Sequence, residues 1–161
     1  MRRVVGLVLL LCAAVTGWGA STPHVVALGK AQPVKIFLGP GEEQALTISV
    51  RPLYVDAKLK EFTTGNAHEI TDRQFVVQRA FRINDALPDD KPKQSKWLWQ
   101  FGGWLLVDRS TGHITQLKLP DFHPQYSQVS WYRDYAAYCG ISENSERWNA
   151  VVAQMGGRKP V

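Results

Sequence analysis

Cysteine is nearly absent from this chain: it has two, Cys12 and Cys139, in 161 residues. Cys12 lies inside an apolar N-terminal run, so a chain that sheds that run keeps one thiol and forms no internal disulfide. Its stability then rests on a packed core. No apolar run reaches the roughly 20 residues that a membrane-spanning helix needs. Lysine and arginine never cluster into a long run, which removes the basic stripe expected of a nucleic-acid binder. HExxH, CxxC and EF-hand spacings are missing, so no motif asks for a metal. A Gly-x-Ser-x-Gly elbow, a P-loop and a dinucleotide fingerprint are missing too, and no cofactor is expected. There is no low-complexity tract and no strong internal repeat.

What is present begins with Met1-Arg2-Arg3, a mostly apolar stretch from Val4 to Val15, and small residues at Gly17, Gly19, Ala20 and Ser21. A basic start, a short apolar run and a small-residue exit is the order of a secretory signal peptide. The sequence therefore predicts a signal over 1–20, cleaved between residues 19 and 21, and an exported protein of the periplasm or the extracellular space. Removing 20 of 161 residues leaves 141, enough for one domain with its own core. The net charge falls from +5 to +3, because Arg2 and Arg3 leave with the signal. Nucleic acid is not an expected partner, and no membrane span remains after cleavage.

Over 21–161 apolar and polar residues alternate, the period of a half-buried strand. Leu46, Ile48 and Val50 share one face; Phe75, Val77, Phe81 and Ile83 share another, with Arg79 intruding so that this face opens at one point. Gly39-Pro40-Gly41, Thr64-Gly65-Asn66 and Ser110-Thr111-Gly112 read as hairpin turns, Gly112 being placed for a positive φ. The segment 85–96, charged and carrying two prolines, reads as a mobile solvated loop. Near the C-terminus two readings stand: a helix capped by Ser142, or a turn followed by a strand from Trp148 to Met155. The pair Val151-Val152 favours the strand.

Two stretches resemble known hairpins. "SWYRDYAAY" looks like the opening strand-turn-strand of a TolB-type β-propeller blade, usually Ser-Trp-Ser-Pro-Asp-Gly before an apolar strand, with Arg133 and Tyr135 replacing the Pro and Gly. "WLLVDRSTGHITQL" is similar to the outer hairpin of such blades. The whole is also similar to exported bacterial proteins of no assigned activity, so the resemblance implies none here. A closed propeller needs at least four blades of about 40 residues, more than the 141 residues left after the signal can supply. The expectation is one antiparallel all-β domain, a sandwich or a strongly bent sheet with blade-like hairpins.

Few residues invite chemistry. On a strand from Tyr135 to Ser142, Cys139 shares a face with Ala137 and Ile141, the more apolar of the two, and is expected to point inward as a small structural hydrophobe. Intermolecular pairing or catalysis would need it exposed beside a cation or histidine. Asp121 and His123 form a possible ligand pair but not a site, and His68 and Glu69 should point to opposite faces. Asp56, Glu61, Glu69 and Asp72 are the acids that could pair in a glycosidase. The least ordinary stretch is "KWLWQFGGWLLV", where Trp97, Trp99 and Phe101 share a face and Gly102-Gly103 is expected to bulge and re-aim Trp104. That strip, as core or as a contact for an envelope protein or glycan, is the candidate surface. The sequence favours a cofactor-free binding module over an enzyme. A small envelope hydrolase acting on polysaccharide and a structural subunit of an envelope assembly are the alternatives.

Overall fold

The structure is a computed structural model describing residues 23–36, 45–84, 97–141 and 147–155. The predicted signal and the predicted mobile loop lie outside those residues. Within them the chain is all β: ten strands, seven in one sheet and three in a second.

The larger sheet holds β1 (Val26–Leu28), β2 (Gln32–Ile36), β3 (Leu46–Val55), β4 (Lys58–Glu69), β5 (Gln74–Asn84), β6 (Trp97–Asp108) and β7 (Ile114–Gln116). From β2 to β6 the strands follow one another antiparallel, and β2 then pairs with β6 to close a ring. Five alternating strands leave the first and last running the same way, so the closing pair is parallel. It consists of one pairing, Ile36 with Trp99. β1 and β2 lie along the same edge of β3, β1 against 53–55 and β2 against 46–50. Between them Gly29 donates its N–H to the Pro52 carbonyl, and a Cβ at Gly29 would meet the proline ring at 2.6 Å.

The register carries one face round the whole ring. Ile36 lies opposite Leu46, Val50 opposite Thr64, Phe62 opposite Ala80, and Arg82 opposite Trp99. Phe62 and Trp99 sit on strands separated by β5, yet their ring centroids are 5.1 Å apart, edge to face. Two strand spacings come to about 9.5 Å, so this face must be concave there. The other face buries a second cluster, Leu53, Phe75, Val77, Leu105 and Val107, under Val26, Leu28 and Ile114 from β1 and β7. As the sequence anticipated, that face opens past Val77: Arg79 turns to Glu61 and Ile83 is exposed.

Two turns differ from expectation. Gly65, expected in a hairpin turn, lies inside β4 at a register shift between Thr64 and His68, with φ 72°. The hairpin is instead at Asp56-Ala57, both with positive φ, which is the type I′ geometry. Alanine at the second position hid it, since that place normally announces itself with glycine. Asp56 compensates locally: its carboxylate accepts from His24 Nδ1 at 2.7 Å and from the Val25 N–H at 3.0 Å. The β6–β7 hairpin is as expected, with Gly112 at φ 65° and pressed so close to Val55 that a Cβ would lie 2.6 Å from it.

The smaller sheet orders β8 (Ser130–Tyr132), β9 (Tyr135–Ile141) and β10 (Trp148–Gln154) antiparallel, so the strand reading of the C-terminal segment holds. It packs on the ring through Trp131, which meets Trp104 edge-on at 5.2 Å and stacks on His68 at 6.0 Å. Its own core is Ala136, Tyr138, Val151 and Ala153, covered by Leu119, Phe122 and Val129.

Candidate functional site

The aromatic strip of β6 is governed by a bulge. Gln78 lies opposite Trp104 and Ala80 opposite Phe101, so Gly102 and Gly103 together face the single residue Arg79. A Cβ at Gly102 would meet Arg79 Cβ at 3.0 Å and its carbonyl oxygen at 3.2 Å, which suits glycine. The extra residue shifts the alternation, so Trp97, Trp99 and Phe101 share a face with Trp104. Trp104 is thereby aimed at Trp131 and buried.

Upstream of the bulge the three aromatic residues have different surroundings. Trp97 is 51% exposed, with the Arg82 guanidinium 5.0 Å from its ring centre. Trp99 is half-buried, meets Phe62, and has the same guanidinium 6.0 Å away. Phe101 is half-buried opposite Ala80. Trp99 forms one wall of a groove of about 220 Å³ at the seam where β2 meets β6. β2 contributes Gln32 and Val34, β3 contributes Val50, Pro52 and Tyr54, and β4 contributes Leu59 and Phe62. No charged side chain lines it, and Gln32 and the Tyr54 hydroxyl are its polar groups. The sequence reading found Trp99 but missed the opposite walls, because nothing local ties Tyr54 or Phe62 to a tryptophan more than thirty positions away.

Three of the four acids singled out for a glycosidase are tied to separate bases, and the fourth, Asp72, is exposed in the turn between β4 and β5. Asp56 holds His24, Glu61 accepts from Arg79 Nε at 2.9 Å, and Glu69 takes a two-pronged contact from Arg109 at 2.6 and 2.8 Å. These contacts hold the Asp56 and Glu69 carboxyls below the usual carboxylate range, through the His24 and Arg109 hydrogen bonds respectively. Asp108 is lowered further by the Ser110 hydroxyl, the Thr111 N–H and Gln74, which mark it as the organiser of the β6–β7 turn. It borders a second, more open depression of about 440 Å³ with His113 and Thr115. His68 donates to the Arg133 carbonyl at 2.9 Å while Glu69 faces Arg109. Asp121 is bonded by Asn149, and His123 stacks on Tyr126. Among the described residues no group of three His, Cys, Asp or Glu side chains converges to hold a metal ion.

Cys139 is exposed, which corrects the expectation that it points into the core. The alternation along β9 is as read, but the buried face is Ala136, Tyr138 and Gly140. Tyr138 brings the larger ring and donates its hydroxyl to the Pro120 carbonyl. Gly140 lets the chain at Asp121 approach, where a Cβ would lie 2.9–3.0 Å from it, and Ile141 N–H bonds the Asp121 carbonyl at 2.8 Å. The outward face pairs Ile141 with Trp148, Cys139 with Ala150, and Ala137 with Val152. Those six residues carry no charge, Trp148 is 67% exposed, and the charges lie at the far end, where Arg133 covers Tyr132 and Asp134 accepts from Gln154.

Comparison of the chain with family models, with curated proteins and with solved structures gives no match.

Proposed function

We propose that this is an exported, cofactor-free binding module acting through the aromatic end of its ring, with an envelope protein or glycan as partner. The observation that carries the reading is the pairing of an exposed Trp97 under Arg82 with the apolar groove walled by Trp99. A large aromatic surface with little rotamer freedom beside a preformed groove is the usual make-up of a binding hot spot. A hydrolase acting on polysaccharide is less well supported, since Asp56, Glu61 and Glu69 are each engaged with a different base. Export rests on the order of residues at the N-terminus alone.

A structural subunit of an envelope assembly is the second reading. It is favoured by the apolar part of the small sheet's outer face, where Trp148 and Val152 stand exposed. An affinity pull-down from envelope extract, with mass spectrometry of what is retained, separates the two. The groove reading expects Trp97→Ala to lose the partner at an unchanged melting temperature and Trp148→Glu to keep it. The reverse pattern would transfer the function to the small sheet.

A further inference from the structure

We propose that residues 117–155 are a releasable cap, latched by Trp131 over the far end of the aromatic face of β6, and that they move off the ring as one folded body. The proposal stands apart from the groove reading, which concerns the near end of that face. Trp97 stands exposed at the near end, whereas Trp104 at the far end is buried against Trp131. The cap has its own core. Ala136, Tyr138, Val151 and Ala153 bury one another under Leu119, Phe122 and Val129, and the cluster on the ring's outer face takes no side chain from 117–155. Within the cap Tyr138 bonds the Pro120 carbonyl, Ile141 the Asp121 carbonyl and Met155 the Asp134 carbonyl. The chain passes from ring to cap at Lys118, just after the Leu117 N–H meets the Trp104 carbonyl. Two bodies with separate cores and one connection move relative to each other unless their interface is large and apolar.

The contact between them is poorly matched. Trp104 Nε1 and Trp131 Nε1 are both buried, and neither meets an acceptor among the described residues. A buried indole N–H ordinarily finds a partner, and one left unmet gains its hydrogen bond from solvent once the contact opens. Past the connection, the ring reaches the cap with two side-chain hydrogen bonds among the described residues. His68 Nε2 donates to the Arg133 carbonyl at 2.9 Å, and Gln78 Nε2 to the Pro124 carbonyl at 3.4 Å, longer than the usual range. His68 also stacks on Trp131 at 6.0 Å, so it serves the latch twice. Closed, the cap withholds Trp104. Open, it adds that ring to the face already carrying Trp97, Trp99 and Phe101 and lengthens the aromatic surface.

The test is double electron–electron resonance on the full chain in a Cys12→Ser background. One spin label sits at Cys139, exposed on the cap, and the other at Asp72→Cys, exposed in the turn between β4 and β5. Two label-to-label distances are expected, the second growing as urea rises to about 2 M while amide exchange in β5 and β6 stays slow. Exchange in the β9–β10 ladder should keep its protection as that population grows, which marks a body that moves rather than one that melts. His68→Ala should raise the second population about threefold and leave exchange in β5 and β6 unchanged. A single narrow distance up to the urea concentration that unfolds the ring would overturn the proposal. So would a distribution indifferent to His68→Ala, or loss of β9–β10 protection in step with the second distance.

Discussion

At the scale of single residues, the two hairpin turns outside the ring seam carry stored strain in plain view. Ala57 has φ 60° and Arg133 φ 52°, a region that disfavours side chains by about 1–2 kcal/mol. Glycine removes that penalty but loses more entropy on folding, by about 0.5–1 kcal/mol. Ala57→Gly and Arg133→Gly are therefore expected to raise stability by about 0.5–1 kcal/mol each, read from urea unfolding midpoints at constant slope. A loss of stability in both would mean that the turns are held by contacts of the replaced side chains. Cys139 makes the opposite kind of residue-scale statement. Exposed on the outer face of β9, it should react with a thiol reagent in the native protein as fast as after unfolding. Cys139→Ser should change stability by no more than about 0.5 kcal/mol. Protection in the native state would show that something covers that face.

At the scale of elements, β6 is two half-strands joined by a bulge, and its tryptophans should separate accordingly. Trp97 stands at the rim under Arg82, so Trp97→Ala is expected to cost less than about 1 kcal/mol. Trp99 packs against Phe62 and forms the pairing that closes the ring, so Trp99→Ala should cost about 2–4 kcal/mol. Thermal melts of the two variants decide the matter, and equal losses would contradict the concave geometry. The bulge has its own test. Gly102→Ala places a methyl against the Arg79 backbone and should destabilise by about 1–3 kcal/mol, with a weakened Trp104–Trp131 contact visible in near-ultraviolet circular dichroism.

For the whole molecule, titration should erode stability from both ends of the pH scale. Asp56, Glu69 and Asp108 have folded pKa values below their unfolded ones. Their stabilisation is present above the unfolded carboxylate range, about pH 4, and is lost as pH falls through the folded values. Tyr138 behaves inversely: burial, with the nearby Asp121 charge, pushes its pKa up to about 12. Its contribution is complete below the unfolded value of about 10 and is lost as pH rises through about 12. The melting temperature should thus be level between about pH 5 and pH 9 and fall on either side. Absorbance at the phenolate band should show one tyrosine protonated well above pH 10 in native protein, and Tyr138→Phe should abolish that delay.

How much of this was legible in the sequence depends on the range of the interactions involved. The period of two along Leu46–Val50, Phe75–Ile83 and Trp97–Phe101, the bulge at Gly102-Gly103 and the turn at Gly112 are local, and each was readable from its own segment. Which face of a strand is buried was not local. On β9 the apolar count favoured the Cys139 side, but Tyr138 finds Pro120 and Gly140 admits Asp121, partners about twenty residues away. The Asp56-Ala57 hairpin was silent because its support comes from His24 and Val25, more than thirty positions earlier. The groove depended most on the tertiary structure. Its walls come from four strands that meet only when the ring closes, and the ring closes through one pairing, Ile36 with Trp99. The sequence by itself therefore determined strands, alternation and the all-β class, which backbone sterics and short-range patterning dictate. Only the tertiary structure decided which side of each strand meets another and where the aromatic side chains converge, because those choices are set by packing between segments far apart in the chain.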